Sequence, residues 1–170
     1  MSTRTTHRPT DGLALFLIGM RFSKPWRVDA WLPAFLAMPR MLRELSTDPD
    51  SGMLGVRLLR GERGVTVVQY WRDTASIYAY ANDGDKQHRP AWTAFYRAAR
   101  RVPGAVGIWH ETYAVSAAET LYVDMPPTGL AAALGPEPIT PRNRTAHARL
   151  HGENVADAAP AAEPDDQNLD

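Results

Sequence analysis

The chain contains no cysteine. A disulfide framework, a thiolate nucleophile, an iron–sulfur cluster and a cysteine-ligated haem are therefore excluded. Lysine is nearly absent too, with only Lys24 and Lys86, and arginine carries almost all of the positive charge. We read that bias as genome composition before phosphate recognition. Neither sign of charge is in excess, because 19 Lys and Arg balance 19 Asp and Glu. No global field then draws the chain to nucleic acid or to an anionic membrane. The apolar run Leu13–Met20 is far too short to span a bilayer, and it lacks the small-residue cleavage pattern of a signal peptide. The expected compartment is the cytoplasm. Several catalytic signatures are missing as well. There is no Gly-rich phosphate loop, no histidine pair read at metal-ligand spacing and no G-x-S-x-G elbow. These absences argue against a nucleotide-using enzyme, a dedicated metal site and a standard serine hydrolase.

What is present reads as one domain of ordinary globular composition, with its boundaries at residues 11–135. Residues 1–10 are polar and expected to be frayed. Residues 136–170 are rich in proline, alanine and charge, and are expected to be a disordered tail. Within the domain, Leu13–Met20 suggests a strand covered on both faces. Ser23-Lys24-Pro25 reads as a helix start, followed by Trp31, Phe35, Met38, Leu42 and Leu45 at helical spacing. At least one of Pro33 and Pro39 should kink or split that helix. Met53–Arg60 and Val65–Trp71 read as a hairpin around Gly61-Glu62-Arg63-Gly64. Asp73 or Thr74 caps a second helix, and Pro90 opens a third segment bearing Trp92, Phe95 and Tyr96. Val106–Val115 is the next strand, and Thr120–Val123 a short extra one. The order is βαββαβ, an α+β ferredoxin-like domain with an antiparallel sheet. Both faces of its strands carry large apolar groups. A second copy packed sheet to sheet, forming a homodimeric α/β barrel, would cover the face away from the helices.

Three stretches carry polar chemistry. In Gly107-Ile108-Trp109-His110-Glu111-Thr112-Tyr113, alternation places His110 with Val106 and Ile108 on one face, and Trp109, Glu111 and Tyr113 on the other. His110 should then be partly buried. It is either a bonded core histidine or a functional base or iron ligand. Glu111 carries the same ambiguity, and as an ion pair with Arg57 or Arg72 it would only lock the sheet. In Gln69-Tyr70-Trp71-Arg72-Asp73, Trp71 is either a staple over the helix start or the wall of a cavity, with Gln69 on its face to orient a ligand. In His88-Arg89-Pro90-Ala91-Trp92, His88 is either idle at the surface or an acid, base or axial ligand, and Arg89 is placed to bind a carboxylate. His7, His147 and His151 fall in the expected flexible ends and are set aside.

Tyr70-Trp71-Arg72-Asp73, His88-Arg89-Pro90-Ala91-Trp92 and Gly107–Tyr113 together resemble a monooxygenase-like family of bacterial and fungal proteins related to the monooxygenase of the fumagillin pathway. More distantly, they resemble the antibiotic-biosynthesis monooxygenases and other dimeric α/β barrels. The resemblance spans roughly residues 12–127. It implies an enzyme of monooxygenase type acting on a small hydrophobic or aromatic molecule in an apolar cavity. It further implies catalytic roles for His110, Trp71, Gln69 and Tyr70, with Trp109, Trp92 and Arg57 binding substrate. Relatives of this fold work without a cofactor or with haem. The alternative reading is therefore a haem enzyme, like the aldoxime dehydratases, with His110 or His88 on the iron and Arg89 on a propionate. A third reading is a ligand-binding or dimerisation module without catalysis.

Overall fold

A computed structural model describes residues 2–61, 63–83, 93, 95–97 and 100–152. The elements run β1 Arg4–His7, β2 Ala14–Phe22, α1 Val28–Thr47, β3 Met53–Gly61 and β4 Gly64–Trp71. They continue with α2 Thr74–Asn82, β5 Val106–Ala114, β6 Tyr122–Val123, α3 Leu130–Leu134, β7 Pro136–Pro138 and α4 Ala146–His151. Residues 93, 95–97, 100 and 101 are helical. His88, Arg89 and Trp92 lie outside the described residues.

The main sheet has the order β3-β4-β2-β5, antiparallel throughout. This is the ferredoxin-like arrangement, with β2 central because it pairs along its length with both β4 and β5. The hairpin β3–β4 closes at Gly61 and Gly64, as the glycine-flanked loop predicts. A Cβ at Gly64 would run into the Met20 carbonyl, so only glycine lets the hairpin end lie against β2. Asp73 caps α2, accepting from the Ser76 backbone N–H at 2.7 Å. Leu54 forms a bulge in β3, where the register shifts between Met53 and Gly55.

Helix α1 is continuous over 20 residues, with both Pro33 and Pro39 inside it. The expected split does not occur. Both prolines are exposed, whereas Ala30, Ala34 and Leu45 of the same helix are buried. Packing against the sheet outweighs the two backbone hydrogen bonds that the prolines remove.

The chain ends also depart from expectation. Residues 4–7 are a strand, paired with β6 on one side and β7 on the other. Thr6 and His7 are buried there, and the Thr3 N–H donates to Asp124 at 2.7 Å. A polar segment is held because its neighbours supply ladder partners, which composition does not reveal. The expected disordered tail contains β7 and α4, anchored by Arg149, whose Nε donates to Glu119 at 2.7 Å. Residues 153–170 lie outside the described part.

The two faces of the main sheet are covered differently. One carries Phe16, Ile18, Met20, Val67, Gln69, Trp71, Ile108 and His110 and meets α1 and α2. The other carries Leu15, Tyr70, Val68 and Trp109. Leu13 and Tyr70 pack there with Leu130, so α3 covers one end of this face. A Cβ at Gly55 would meet Ala133, and the missing side chain is what seats α3. A single chain thus covers part of the surface that the sequence assigns to a second copy.

Candidate functional site between the helices and the sheet

A cavity of about 270 Å³ lies between α1, α2 and the sheet. Met38, Met41, Leu42 and Leu45 of α1 form one wall, and Ile77, Tyr78 and Tyr80 of α2 form another. The floor is Phe16, Ile18, Gln69, Trp71, His110 and Thr112. A smaller apolar cavity of about 160 Å³ continues beside it, sharing Ile18, Met38 and Leu42. Unbranched methionines are adaptable walls for an irregular apolar ligand.

Register explains the polar floor. Gln69 pairs with Phe16, and Phe16 pairs with Thr112 on its other side. His110 pairs with Ile18, two residues along β2. Period-two alternation puts Phe16, Gln69, Trp71, His110 and Thr112 on one face of three adjacent strands. Gln69 and Trp71 are both buried, and the Trp71 Nε1–H donates to Gln69 Oε1 at 3.0 Å. Trp71 also packs with Ala14, Leu45 and Ile77, and its ring centroid lies 6.3 Å from that of Tyr80. The cavity-wall and structural readings of Trp71 therefore coexist, since it belongs to the core and lines the cavity.

His110 departs from expectation. It is exposed rather than partly buried, because β5 is the edge strand of the sheet. Its ring lies over Phe16, with centroids 5.7 Å apart and planes tilted by 34°. An imidazole so placed reaches both the cavity and solvent, so it can exchange protons with water. Tyr80 differs in kind. Burial, and then the hydrogen-bonded Glu44 carboxylate, push its hydroxyl up to about 12. It is therefore a neutral phenol at physiological pH and does not serve as a base.

The remaining site residues divide cleanly. The cavity gathers His110, Gln69 and Trp71. Tyr70 faces away, buried in the cluster with Leu13 and Leu130. Arg57 pairs with Val68 on that same opposite face and lies beside Gly129. Trp109 also faces away, its indole occupying the space where a Cβ of Gly19 would stand. Glu111 meets neither Arg57 nor Arg72. It accepts from the Tyr113 hydroxyl at 2.7 Å, and Arg72 pairs with Asp73. The arginines sit at the far side of the sheet from β5, out of reach. Sequence reasoning missed Phe16, Thr112 and Tyr80 as lining residues. Thr112 was legible, since alternation puts it on the His110 face.

The three histidines set aside as flexible have defined surroundings. His7 is buried, its Nδ1 lies 2.8 Å from Thr120 Oγ1, and it lines a separate polar cavity of about 410 Å³. Burial lowers its pKa, partly offset by Glu119 and Glu137. His147 and His151 stand one turn apart on α4 with ring centroids 4.7 Å apart, which corrects the reading that no histidine pair has ligand spacing. Two imidazoles are an incomplete ligand set, and among the described residues no group of three or more His, Asp or Glu could hold a metal ion.

The described lining does not fit a haem. The cavity lies just below the ~300–1,000 Å³ range of drug-sized pockets. Among the described residues no arginine or lysine lines it to meet a propionate, and Arg89 and His88, expected for a haem, lie outside those residues.

Among the described residues, no helix is long and apolar enough to cross a membrane. No curated protein matches the chain. Among solved structures it is similar to the aldoxime dehydratase OxdRE in complex with butyraldoxime. That likeness has a TM-score of 0.55 at 15% identity and covers 66% of this chain and 34% of that one. It is also similar to SnoaB, a cofactor-independent oxygenase from Streptomyces nogalater, with a TM-score of 0.43 at 13% identity over 60% of this chain and 91% of that one. A dimeric ferredoxin-like protein of unknown function from Jannaschia sp. CCS1 has a TM-score of 0.43 at 16% identity over 59% and 98%. At such identities a structural likeness bears on fold alone. The family described as monooxygenase af470-like matches residues 13–130, the main sheet with both its long helices, and the chain belongs to that family.

Proposed function

We propose that this protein is a cofactor-free enzyme of monooxygenase type, acting on a small, electron-rich aromatic or enolisable molecule held between α1, α2 and the sheet. The observation that carries the reading is the composition of the cavity. Its walls are largely apolar, and its floor holds one buried amide, the Thr112 hydroxyl and one imidazole in contact with solvent. In such a site His110 takes a proton from the bound molecule and passes it to water. The resulting carbanion or phenolate is oxidised by molecular oxygen. For an activated methylene, one oxygen atom becomes the new carbonyl and the other leaves as water with the two displaced hydrogens. The substrate supplies all the electrons, so no external reductant is needed. Apolar walls keep the reactive anion away from bulk water.

His110 acts as base, Gln69 orients the substrate oxygen, and Trp71 and Phe16 are walls. The reading also takes the active form to be a homodimer. Beyond the part covered by α3, the second sheet face leaves Leu59 at 41%, Trp109 at 39% and Tyr113 at 49% exposed, an apolar surface suited to a second copy.

The test is oxygen uptake by the full chain with a panel of anthrones and naphthols. The His110→Ala variant should lose about 10²–10⁴-fold in rate with its fold intact. An unchanged rate removes His110 from the mechanism. Binding of the panel without any uptake favours the non-catalytic module.

A further inference from the structure

We propose that Trp71 is a positioning residue that fixes the Gln69 amide with its NH₂ toward the bound molecule. The cavity would then select ligands whose polar group is a hydrogen-bond acceptor, namely a ketone, quinone or enolate oxygen. The inference rests on the reading of this cavity as the binding site.

An amide is nearly symmetric in shape, and its two ends differ only in hydrogen-bonding sense. An indole N–H is a donor only. Trp71 Nε1–H lies 3.0 Å from Gln69 Oε1, so the oxygen is committed to Trp71. Turning the amide over would set two donors against each other within a buried pair. Trp71 itself cannot swing away, because it is 1% exposed and wedged among Ala14, Leu45 and Ile77. Among the described residues no protein acceptor meets Gln69 Nε2, and that atom is not sealed from the cavity. The amide therefore offers a bound molecule donors and no acceptor.

Of the other polar groups on the floor, Thr112 and His110 both lie on β5, across β2 from Gln69. Burial and the nearby Glu44 carboxylate keep the Tyr80 hydroxyl protonated. His110 stands across β2, with the strands carrying Gln69 and His110 roughly 10 Å apart. A flat molecule of one or two rings lying over Phe16 would place its acceptor oxygen at Gln69 and its acidic C–H or O–H toward His110. That is the polarity a base-assisted oxidation of an enolisable ketone requires, since the donor amide stabilises the oxygen as negative charge develops on it.

The experiment compares two neutral molecules of nearly identical shape, 1-tetralone as acceptor and 1,2,3,4-tetrahydroquinoline as N–H donor. Their Kd values are measured by calorimetry on the full chain and on two variants, Gln69→Glu and Trp71→Phe. The wild-type protein is expected to favour 1-tetralone by about tenfold, the worth of one hydrogen bond. Gln69→Glu keeps an acceptor for Trp71 but removes the NH₂, and should abolish the preference. Trp71→Phe frees the amide to turn, and should narrow the ratio by about the same factor. A purely structural role for Trp71 would weaken both probes alike and leave the ratio unchanged, overturning the inference. Equal affinity of the wild-type protein for the two probes would overturn it as well, while leaving the cavity as a binding site. If neither probe binds nor shifts the Trp71 indole N–H resonance, the cavity reading itself fails and this inference falls with it. Should Trp71→Phe not fold, Gln69→Glu alone decides: a retained 1-tetralone preference refutes the proposal.

Discussion

Removing the Gln69 acceptor and the Trp71 donor, singly and together, isolates the bond that orders the cavity floor. In Gln69→Leu the indole N–H of a residue 1% exposed loses its acceptor. An unpaired buried donor costs about 1–3 kcal/mol. In Trp71→Phe the same bond is lost and the side chain that packs with Leu45 and Ile77 is trimmed. The cavity left behind brings the total to about 2–4 kcal/mol. The double variant loses the bond once, not twice, and leaves no orphaned partner. Its destabilisation should fall short of the sum of the singles by about 1 kcal/mol or more. Against a domain stability of roughly 5–15 kcal/mol all three proteins remain folded. Urea unfolding followed by far-ultraviolet circular dichroism, with m-values checked for constancy, gives the three differences. Additivity within about 0.5 kcal/mol would show that the two side chains are energetically independent. The fixed amide, and the ligand selectivity argued from it, would then be refuted.

Two further perturbations test other parts of the fold. At Gly19 a Cβ would overlap the Trp109 indole across the strand pair. Gly19→Ala should therefore cost about 1–3 kcal/mol in urea unfolding, and Trp109→Ala in the same chain should restore part of it. A Gly19→Ala protein of full stability would show that the indole moves aside freely. His7 has its folded-state pKa depressed by burial below its ordinary 6.5. The unfolded chain then binds the proton more readily. Stability associated with His7 is present in full above 6.5 and is lost as pH falls from there through the folded-state value. Replacing His7 with Gln should flatten the fall in urea midpoint between about pH 7 and pH 5. An unchanged slope would mean that His7 is not buried in solution.

Much of the main sheet was legible because its signals are local. The hairpin follows from Gly61 and Gly64 between two short strand-like runs, and the α2 start follows from Asp73. The face shared by Gln69 and Trp71, and that shared by Ile108 and His110, follow from strict alternation, which no tertiary contact alters. Other features depend on neighbours distant in sequence. His110 looked partly buried beside Val106 and Ile108, yet its exposure is set by β5 lying at the sheet edge, a matter of strand order. Tyr70, next to Trp71 along the chain, and Arg57 were both expected at the site. The pleat sends them to the other face, where α3 claims Tyr70. The polar start of the chain looked frayed until β6 and β7, more than a hundred residues away, supplied the ladder that orders Arg4–His7.

By itself the sequence determined the βαββαβ order, the family, and which side chains share a strand face. These rest on backbone periodicity and turn chemistry, and both act over a few residues. Only the tertiary structure decided that α1 and α2 roof Gln69, Trp71 and His110 into one cavity. It alone showed that the Trp71 indole commits the Gln69 oxygen, and that a strand from each end of the chain closes a second small sheet. Those outcomes depend on long-range packing and on which hydrogen-bond partners burial leaves available. Local pattern carries no record of either.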